Sequence, residues 1–248
     1  MFATRSHKKE LLDAEDIPKE LLYQNLRELE FINKYLGGHK VSLFGLKKIM
    51  IDKSKTYHIL DIGCGGGDSL KAIAKWANKN NYKIELTGID LKQDCIDFAK
   101  KNCENIKCYF IQDDFRDALK DFKVRSKHSI ADSDIRHPTS EILIVHASLF
   151  CHHFPESDIA AFAKTCSEHN AVFLINDLER HPFAYYSIKI LTYLFSKSPL
   201  VKNDAPLSVL RGFKRKEWQS ILNSTVIKNF SIKNRWAFRH LVTVFPNE

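Results

Sequence analysis

The sequence lacks the features that define several large classes of protein. No run approaches the roughly 18 uninterrupted apolar residues of a membrane span, and Met1 to Glu10 contain no apolar core of a secretion signal. The six cysteines form no Cys-x-x-Cys pair, and no two of them lie close enough to a histidine pair for a zinc cage. We therefore expect a cytoplasmic protein with reduced thiols and no bound metal.

Charge and size leave the partner open. The formal net charge of +8 would suit nucleic acid, but the lysines are scattered and the run Lys214 to Lys216 has no interleaved aromatic residues. Nucleic acid is therefore possible as a partner but not favoured over a small molecule. A chain of 248 residues that is 44% hydrophobic is long and apolar enough for one folded domain. The oligomeric state is not determined by these features.

Strand and helix patterns alternate along the chain, which predicts an α/β fold. Predicted strands cover 57–62, 84–90, 107–112, 141–147 and 171–176, with helices over 68–78, 93–102 and 158–168 between them. The pattern ends with a helix over 214–223 and a predicted antiparallel hairpin over 226–234 and 238–245. We expect a Rossmann-like, seven-stranded, mostly parallel sheet with helices on both faces.

The remaining segments predict how the chain is divided. Residues 1–52 contain helical patterns over 18–36 and 41–50, and we interpret them as an N-terminal helical cap on a main domain of residues 53–248. Two insertions interrupt the main domain. The one at about 117–140 is polar and aperiodic, whereas that at 178–213 combines an amphipathic aromatic segment with a loop around Pro199 and Pro206.

A glycine-rich turn follows the first predicted strand of the main domain. Gly63, Gly65 and Gly67 alternate, and Asp61 precedes them by two residues, which is neither a dinucleotide fingerprint nor a phosphate loop. A carboxylate here would repel a pyrophosphate and attract a cationic ligand. Asp90 ends the next strand, where its carboxylate can accept hydrogen bonds from both ribose hydroxyls.

These motifs resemble those of the class I S-adenosylmethionine-dependent methyltransferases over residues 56–177. Asp61 to Gly67 is similar to the first motif of that family, residues 88–90 to the second, and Ile111 to Phe115 to the turn that holds adenine. The resemblance implies S-adenosylmethionine as cofactor, with Leu91 among its ligands and either Asp113 or Asp114 at the adenine amino group, beside Phe115. A plain helix-capping role for Asp114 is the alternative.

The residues from His146 to Pro155 resemble the fourth-strand motif of the ubiquinone/menaquinone-methyltransferase-like branch, which implies that His146 lies at the cofactor. His152 and His153 follow that strand, where either could be a general base, since an unperturbed imidazole is largely neutral at pH 7. Capping or packing is the alternative for each histidine. His181 is a further candidate catalytic residue.

The second insertion supplies candidate substrate-binding residues. Arg180 could hold an anionic group, although a solvated or salt-bridged arginine is as plausible, and Tyr185 and Tyr186 could line an apolar pocket, although ordinary packing is the alternative. Residues 176–182 and 236–239 are similar to those of small-molecule methyltransferases of bacterial secondary metabolism. We expect methyl transfer to the oxygen or carbon of a small, aromatic or polyketide-like molecule. The alternatives are an RNA or protein methyltransferase, a non-catalytic S-adenosylmethionine-binding protein and an NAD-dependent oxidoreductase.

Overall fold

The computed structural model describes residues 1–117 and 141–247, so the predicted insertion at about 117–140 lies, apart from Asp117, outside the described residues. The helices are α1 Lys19–Tyr35, α2 Gly38–Ile49, α3 Asp68–Lys79, α4 Gln93–Asn102, α5 Glu156–Glu168, α6 Pro182–Phe195, α7 Pro199–Arg211 and α8 Arg215–Asn223. The strands are β1 Thr56–Ile62, β2 Lys83–Asp90, β3 Tyr109–Gln112, β4 Glu141–Ser148, β5 Val172–Leu178, β6 Phe230–Arg235 and β7 Arg239–Val244. Short 3-10 helices cover Leu11–Asp13 and Cys151–His153.

The strands form one seven-stranded sheet in the order β3-β2-β1-β4-β5-β7-β6. The pairs β1–β2, β1–β4, β2–β3 and β4–β5 are parallel, and β7 is antiparallel to both β5 and β6. This confirms the predicted mostly parallel sheet with an antiparallel C-terminal hairpin. The strand order reverses between β1 and β4, and open α/β sheets bind ligands in the crevice at such a point, beyond the carboxyl ends of the strands.

Both faces of the sheet are covered, which is why its central strands are almost continuously apolar. On one face Leu60, Ile62 and Phe173 pack in a cluster with Trp218 of α8. On the other face Ile59 and Leu174 belong to a second cluster that includes residues of α2 and α3. Helix α2 therefore lies on a sheet face, close enough that a Cβ at Gly45 would stand 2.6 Å from Leu174 Cδ1.

The prediction of a loop around Pro199 and Pro206 is wrong, because these residues lie in α7. Pro199 occupies the first turn, which needs no backbone donor, and the Ser198 side chain caps that turn by accepting a hydrogen bond from Val201 N at 3.3 Å. Pro206 lies inside the helix, where it removes one backbone donor. Burial of Leu200, Val201 and Val209 offsets that loss.

None of the helices in residues 1–117 and 141–247 has the length and apolar character required to cross a bilayer.

Gly212 follows α7 and packs against the end of β5, so a substitution at this position tests that contact. A Cβ at this position would lie 2.5 Å from the backbone oxygen of Leu178, which cannot rotate away. We expect Gly212→Ala to lower the free energy of unfolding by about 2 kcal/mol or more, through overpacking. Urea denaturation measures it, with the exposed helical Ser220→Ala as control, expected to change stability by less than about 0.5 kcal/mol. Equal stability of the two variants would show that the segment after α7 can move away from the end of β5 at no cost in free energy.

Candidate functional site

The glycine-rich turn joins β1 to α3 at the point where the strand order reverses. Gly63, Gly65 and Gly67 have φ values of +63°, +50° and +74°, the left-handed region that side chains disfavour. Gly67 is the N-cap of α3, and the ring of Phe150 packs directly over Gly63, so a Cβ there has no room. The turn therefore presents bare backbone at a helix N-terminus, a cradle that fits the polar groups of a bound cofactor.

Asp61 and His146 form a buried pair below this turn. They are register partners on β1 and β4, and His146 Nδ1 lies 2.7 Å from Asp61 Oδ1. His146 Nε2 lies 2.8 Å from Ser42 Oγ, so both ring nitrogens are engaged. Burial raises the pKa of Asp61, and the neighbouring imidazole opposes this effect. Both residues therefore support the turn from below, and the Asp61 carboxylate already has a partner.

A polar chain extends from this pair to the N-terminal helices. Asn176 Nδ2 donates to Ser42 Oγ at 2.9 Å, and Asn176 Oδ1 accepts from Arg239 Nη1 at 3.2 Å. Arg239 Nη2 donates to Asn33 Oδ1 at 3.0 Å, and Asn33 donates in turn to Asp68 at 3.1 Å. Burial lowers the pKa of Arg239 to about 10. The chain fixes α1 and α2 against the ends of β4, β5 and β7.

Asp90 ends β2 beside the glycine turn. Its carboxylate accepts hydrogen bonds from Gly65 N at 2.9 Å and Lys92 N at 3.0 Å. Burial raises its pKa, and these two donors oppose the effect. The side chain of Leu91 next to it is 67% exposed. The two backbone donors hold the carboxylate in place, and its remaining lone pairs can accept hydrogen bonds from ribose hydroxyls. The exposed apolar side chain of Leu91 fits an adenine ring.

In the turn after β3 the two acidic side chains accept hydrogen bonds from the backbone, whereas the aromatic side chain is buried. Asp113 Oδ1 accepts from Asp114 N, and Asp114 Oδ1 accepts from Arg116 N, both at 2.9 Å. Asp114 therefore has the capping contact that the sequence left open as the alternative. Phe115 is 8% exposed and packs against Phe150, with 5.1 Å between ring centroids. Its ring belongs to the apolar core next to the turn.

A second cluster of ionisable groups follows β4 and β5. His152 Nδ1 lies 2.7 Å from Asp177 Oδ1, and His152 Nε2 lies 3.5 Å from Glu10 Oε1. All three side chains are buried. Burial lowers the pKa of His152, but the Asp177 and Glu10 carboxylates outweigh it and raise the pKa to about 9. At pH 7 His152 is therefore protonated and is not the neutral base that an unperturbed pKa implies.

His153 lies on the other side of the Glu10 carboxylate. Its Nδ1 lies 2.9 Å from Asp13 Oδ1, and its Nε2 lies 3.9 Å from Glu10 Oε2. Burial raises the pKa of Asp13, but the hydrogen bond and charge of His153 outweigh it and lower the pKa. Asp13 therefore orients the imidazole of His153, and its second ring nitrogen faces Glu10.

Arg211 holds the backbone and the acids of this cluster together. Its guanidinium donates to the carbonyl oxygens of His152 at 3.2 Å and His153 at 2.9 Å, and to Asp13 Oδ2 at 2.9 Å. Ser208 Oγ donates to Glu10 Oε1 at 2.9 Å. The segment before α1 is therefore attached to α7 by polar contacts that carry Glu10 and Asp13 into the site.

Three of these side chains could hold a metal ion. Ligand atoms of Glu10, His152 and His153 lie within 4.8 Å of one another. However, Glu10 Oε1 already accepts from Ser208, and Arg211 Nε lies 3.8 Å from the same oxygen. The arrangement serves equally well as a hydrogen-bonded acid–base cluster without a metal.

The cluster opens into a cavity of about 770 Å³. Glu10, His152 and His153 line it together with apolar side chains of α1, α6 and α7. Asn25 of α1 also lines it, and its buried Nδ2 has no hydrogen-bond partner. The cavity therefore combines mostly apolar walls with a few polar groups, as small-molecule sites do.

Other predicted site residues lie elsewhere. The Arg180 guanidinium is buried and donates to Glu217 Oε1 and to Gly212 O at 2.6 Å, so it is a structural ion pair and not part of the cavity wall. Tyr185 and Tyr186 pack against Phe2, and the wall formed by α6 consists of Ala184, Ser187, Ile188 and Leu191 instead.

His181 does line the cavity, but its Nδ1 caps α6 by accepting a hydrogen bond from Phe183 N at 3.2 Å. Its ring stacks on Phe238, with 4.6 Å between centroids. One ring nitrogen of His181 is therefore committed to the helix start.

Several residues of the cluster were not predicted from the sequence, namely Glu10, Asp13, Asn25, Ser208 and Arg211. Only one local signal was present. The spacing of Glu10 and Asp13 is that of a capping box, and both capping contacts form. That signal identifies a turn, and only the tertiary contacts reveal an acid in the site.

Residues 59–172 match the family model described as a methyltransferase domain, and no curated protein matches the chain. The plantazolicin methyltransferase BpumL, solved with a desmethylPZN analog and SAH, superposes with TM-score 0.56 and 17% identity, covering 92% of this chain and 89% of its own.

Two further solved structures share the fold. A putative S-adenosyl-L-methionine-dependent methyltransferase of Methanococcus maripaludis gives TM-score 0.55 and 14% identity, covering 95% of this chain and 98% of its own. A SAM-dependent methyltransferase of Aquifex aeolicus gives 0.53 and 14%, covering 92% and 98%. The matched residues 59–172 include the glycine turn, Asp90 and the two histidines after β4, and the solved structures share the fold of the chain. These findings support an S-adenosylmethionine-dependent methyltransferase.

Proposed function

We propose that the enzyme methylates an oxygen or an acidic carbon of a small apolar molecule, of aromatic or polyketide-like type, bound in the cavity of about 770 Å³. The observation that supports this proposal is the mixture of walls: apolar side chains line the cavity beside the cluster of Glu10, His152 and His153 and a few separate polar side chains such as Asn25. A single acidic hydroxyl or carbon on an otherwise apolar acceptor matches that distribution. The naming of one structural neighbour as a plantazolicin methyltransferase is consistent with a natural-product acceptor.

The cofactor site in this proposal follows the carboxyl edge of β1, β2 and β3. The backbone of Gly63, Gly65 and Gly67 would receive the polar end of the cofactor and Asp90 its ribose, with Leu91 against adenine and Asp113 or Asp114 at its amino group. Asp61, His146 and Phe115 act as positioning residues below. S-adenosylmethionine supplies, when bound, a methyl group already activated by its sulfonium charge. The chain must chiefly align the acceptor with it.

Proton removal is assigned to His153. Asp13 fixes its Nδ1, so its Nε2 faces Glu10 and the cavity, where it can take the proton of an acceptor hydroxyl. The pKa of Glu10 is lowered, because its hydrogen bond and charge interactions with His152 outweigh burial, so Glu10 is ionised and can orient that hydroxyl. His152 remains protonated and holds Glu10 and Asp177 in place.

Asn25 is proposed to bind a polar acceptor of hydrogen bonds. Its unpaired Nδ2 is buried at the cavity wall, and leaving a buried donor unpaired is unfavourable by about 1–3 kcal/mol. A carbonyl or ether oxygen of the ligand would remove that penalty.

We also place the chain in the ubiquinone/menaquinone-methyltransferase-like branch, on the His152–His153 element after β4.

Two alternatives are distinguished by turnover. An RNA or protein methyltransferase would methylate a macromolecule. For RNA a broad basic groove is expected, whereas the acids Glu10, Glu179 and Asp204 line this cavity beside Arg235 and Arg239. A non-catalytic cofactor-binding protein would bind the cofactor without methylating any acceptor. Incubation with methyl-labelled cofactor and a panel of phenols, β-diketones, RNA and peptides separates these possibilities, and label found only in RNA or peptide would overturn the proposal.

Asp90→Asn tests the ribose contact. Loss of the carboxylate charge weakens hydrogen bonds from the ribose hydroxyls, so we expect the Kd for S-adenosylhomocysteine to rise about 10- to 100-fold. Titration calorimetry measures this effect, with the exposed Glu104→Gln as a charge-matched control that keeps the native Kd. Native affinity in both variants would remove Asp90 from the cofactor site.

His153→Gln tests the base. We expect kcat to fall about 100-fold or more with a hydroxyl acceptor, because general-base assistance is lost, while S-adenosylhomocysteine affinity stays unchanged. The exposed His7→Gln is the control. Asp13→Asn should retain part of the activity and move the pH profile. If His153→Gln turns over normally and His152→Gln does not, the assignment of the two histidines is reversed.

His152 also predicts how stability depends on pH. Its pKa is about 9 in the folded protein, against 6.5 ordinarily, so between these values the folded chain keeps a proton that the unfolded chain has lost. The free energy of unfolding should therefore be highest below pH 6.5 for this group and fall by up to about 3 kcal/mol as pH rises through 9.

Urea denaturation at several pH values measures this decline. Asp177→Asn removes the main partner of His152, so the decline should move to lower pH. A decline of the same size and position in His152→Gln would assign it to other groups.

A further inference from the structure

Helix α6 is unusually exposed for so apolar a helix. Of its side chains only Ala184 and Thr192 are buried. Six large apolar side chains of this helix are more than half exposed: Phe183, Tyr186, Ile190, Tyr193, Leu194 and Phe195. Packing against α7 does not cover them, and the ring contacts of Tyr186 with Phe2 and of Phe183 with His181 leave both of these side chains more than half exposed. An exposed patch of this kind marks an interaction surface.

The apolar surface continues around the mouth of the cavity. Trp236, in the turn between β6 and β7, is 80% exposed and lines the same cavity as Ile188 and Leu191 of α6. On α1, Phe31 and Tyr35 are 59% and 64% exposed, next to cavity residues of the same helix. We define the docking surface as the six side chains of α6 together with Trp236, Phe31 and Tyr35. Trp236 is the member of this surface that also lines the cavity.

Basic residues lie beside the docking surface. Residues 180–203 contain no aspartate or glutamate but include Lys189, Lys197 and Lys202. On the other side of Trp236, Lys233 and Arg235 lie close to Lys48, and that proximity lowers the pKa of Lys233. Aromatic residues interleaved with lysines are typical of helices that lie at a membrane–water interface.

We propose that the docking surface binds the headgroup region of a lipid bilayer that carries anionic lipids. Anionic headgroups satisfy the basic residues, and the aromatic and aliphatic side chains enter the boundary with the acyl chains. A second copy of this chain is a poorer occupant, because a symmetric interface would place the same lysines opposite one another. Resting on the proposed function, the orientation lets an apolar acceptor pass from the bilayer into the cavity.

The test uses the full-length protein and sedimentation with vesicles. We expect binding to vesicles of phosphatidylcholine mixed with phosphatidylglycerol, weaker binding to phosphatidylcholine alone, and a further decrease at high salt. The double variant Tyr193→Ser, Phe195→Ser should weaken binding roughly tenfold or more, because both side chains are exposed and outside the cavity wall. Ile51→Ser, which removes an equally exposed apolar side chain before β1, should bind as the native protein does.

Two measurements separate the possible failures. S-adenosylhomocysteine affinity and turnover of a water-soluble acceptor should be the same in the double variant and the native protein, so failure of the methyltransfer proposal alone leaves vesicle binding intact. Sedimentation velocity without vesicles tests the second copy. A dimer that the double variant abolishes, or vesicle binding that is equal in the native protein and the double variant, would overturn the membrane assignment.

Discussion

Two buried histidine–carboxylate pairs link β4 and the residues directly after it to the neighbouring strands. His146 pairs with Asp61 of β1, and His152 pairs with Asp177 of β5, both at 2.7 Å. An ionised carboxylate inside a protein is tolerated only when charge and hydrogen bonds replace its hydration. Each pair therefore requires a further partner, Ser42 for the first and Glu10 for the second. The need to satisfy these buried groups draws the N-terminal part of the chain onto the carboxyl edge of the sheet.

That requirement explains why the segment before α1 is ordered. The backbone N–H groups of Leu11 and Leu12 donate to the Asp204 carboxylate at 2.8 and 2.9 Å, and Arg211 donates to the Lys8 carbonyl at 3.0 Å. The acceptor half of the site is thus assembled from residues almost 200 positions apart in the chain. Its geometry depends on α7 as much as on the sheet.

This difference in range explains what the sequence analysis could predict. The elements from β1 through α3 to β2 are contiguous, so Asp61, the glycines and Asp90 were recognisable together, and the sheet followed from the same alternation. Helix α7 was missed because Pro199 and Pro206 normally mark a loop, whereas burial of its apolar face overrides that preference. Whether Arg180 binds substrate or forms a salt bridge stayed open, because the sequence does not show that Glu217 lies beside it.

The protonated state of His152 also changes how the charges of the site are accounted for. In the proposed reaction the positive charge is on the sulfonium before transfer and, as a proton, on His153 afterwards. The carboxylates of Glu10, Asp13 and Asp177 surround both histidines, so their negative charge stabilises a positive charge in the site both before and after the transfer. Arg211 limits that surplus through its contact with Asp13. A neutral acceptor can therefore enter through apolar walls, give its proton to His153, gain the methyl group and leave as a neutral product, after which His153 releases the proton to solvent.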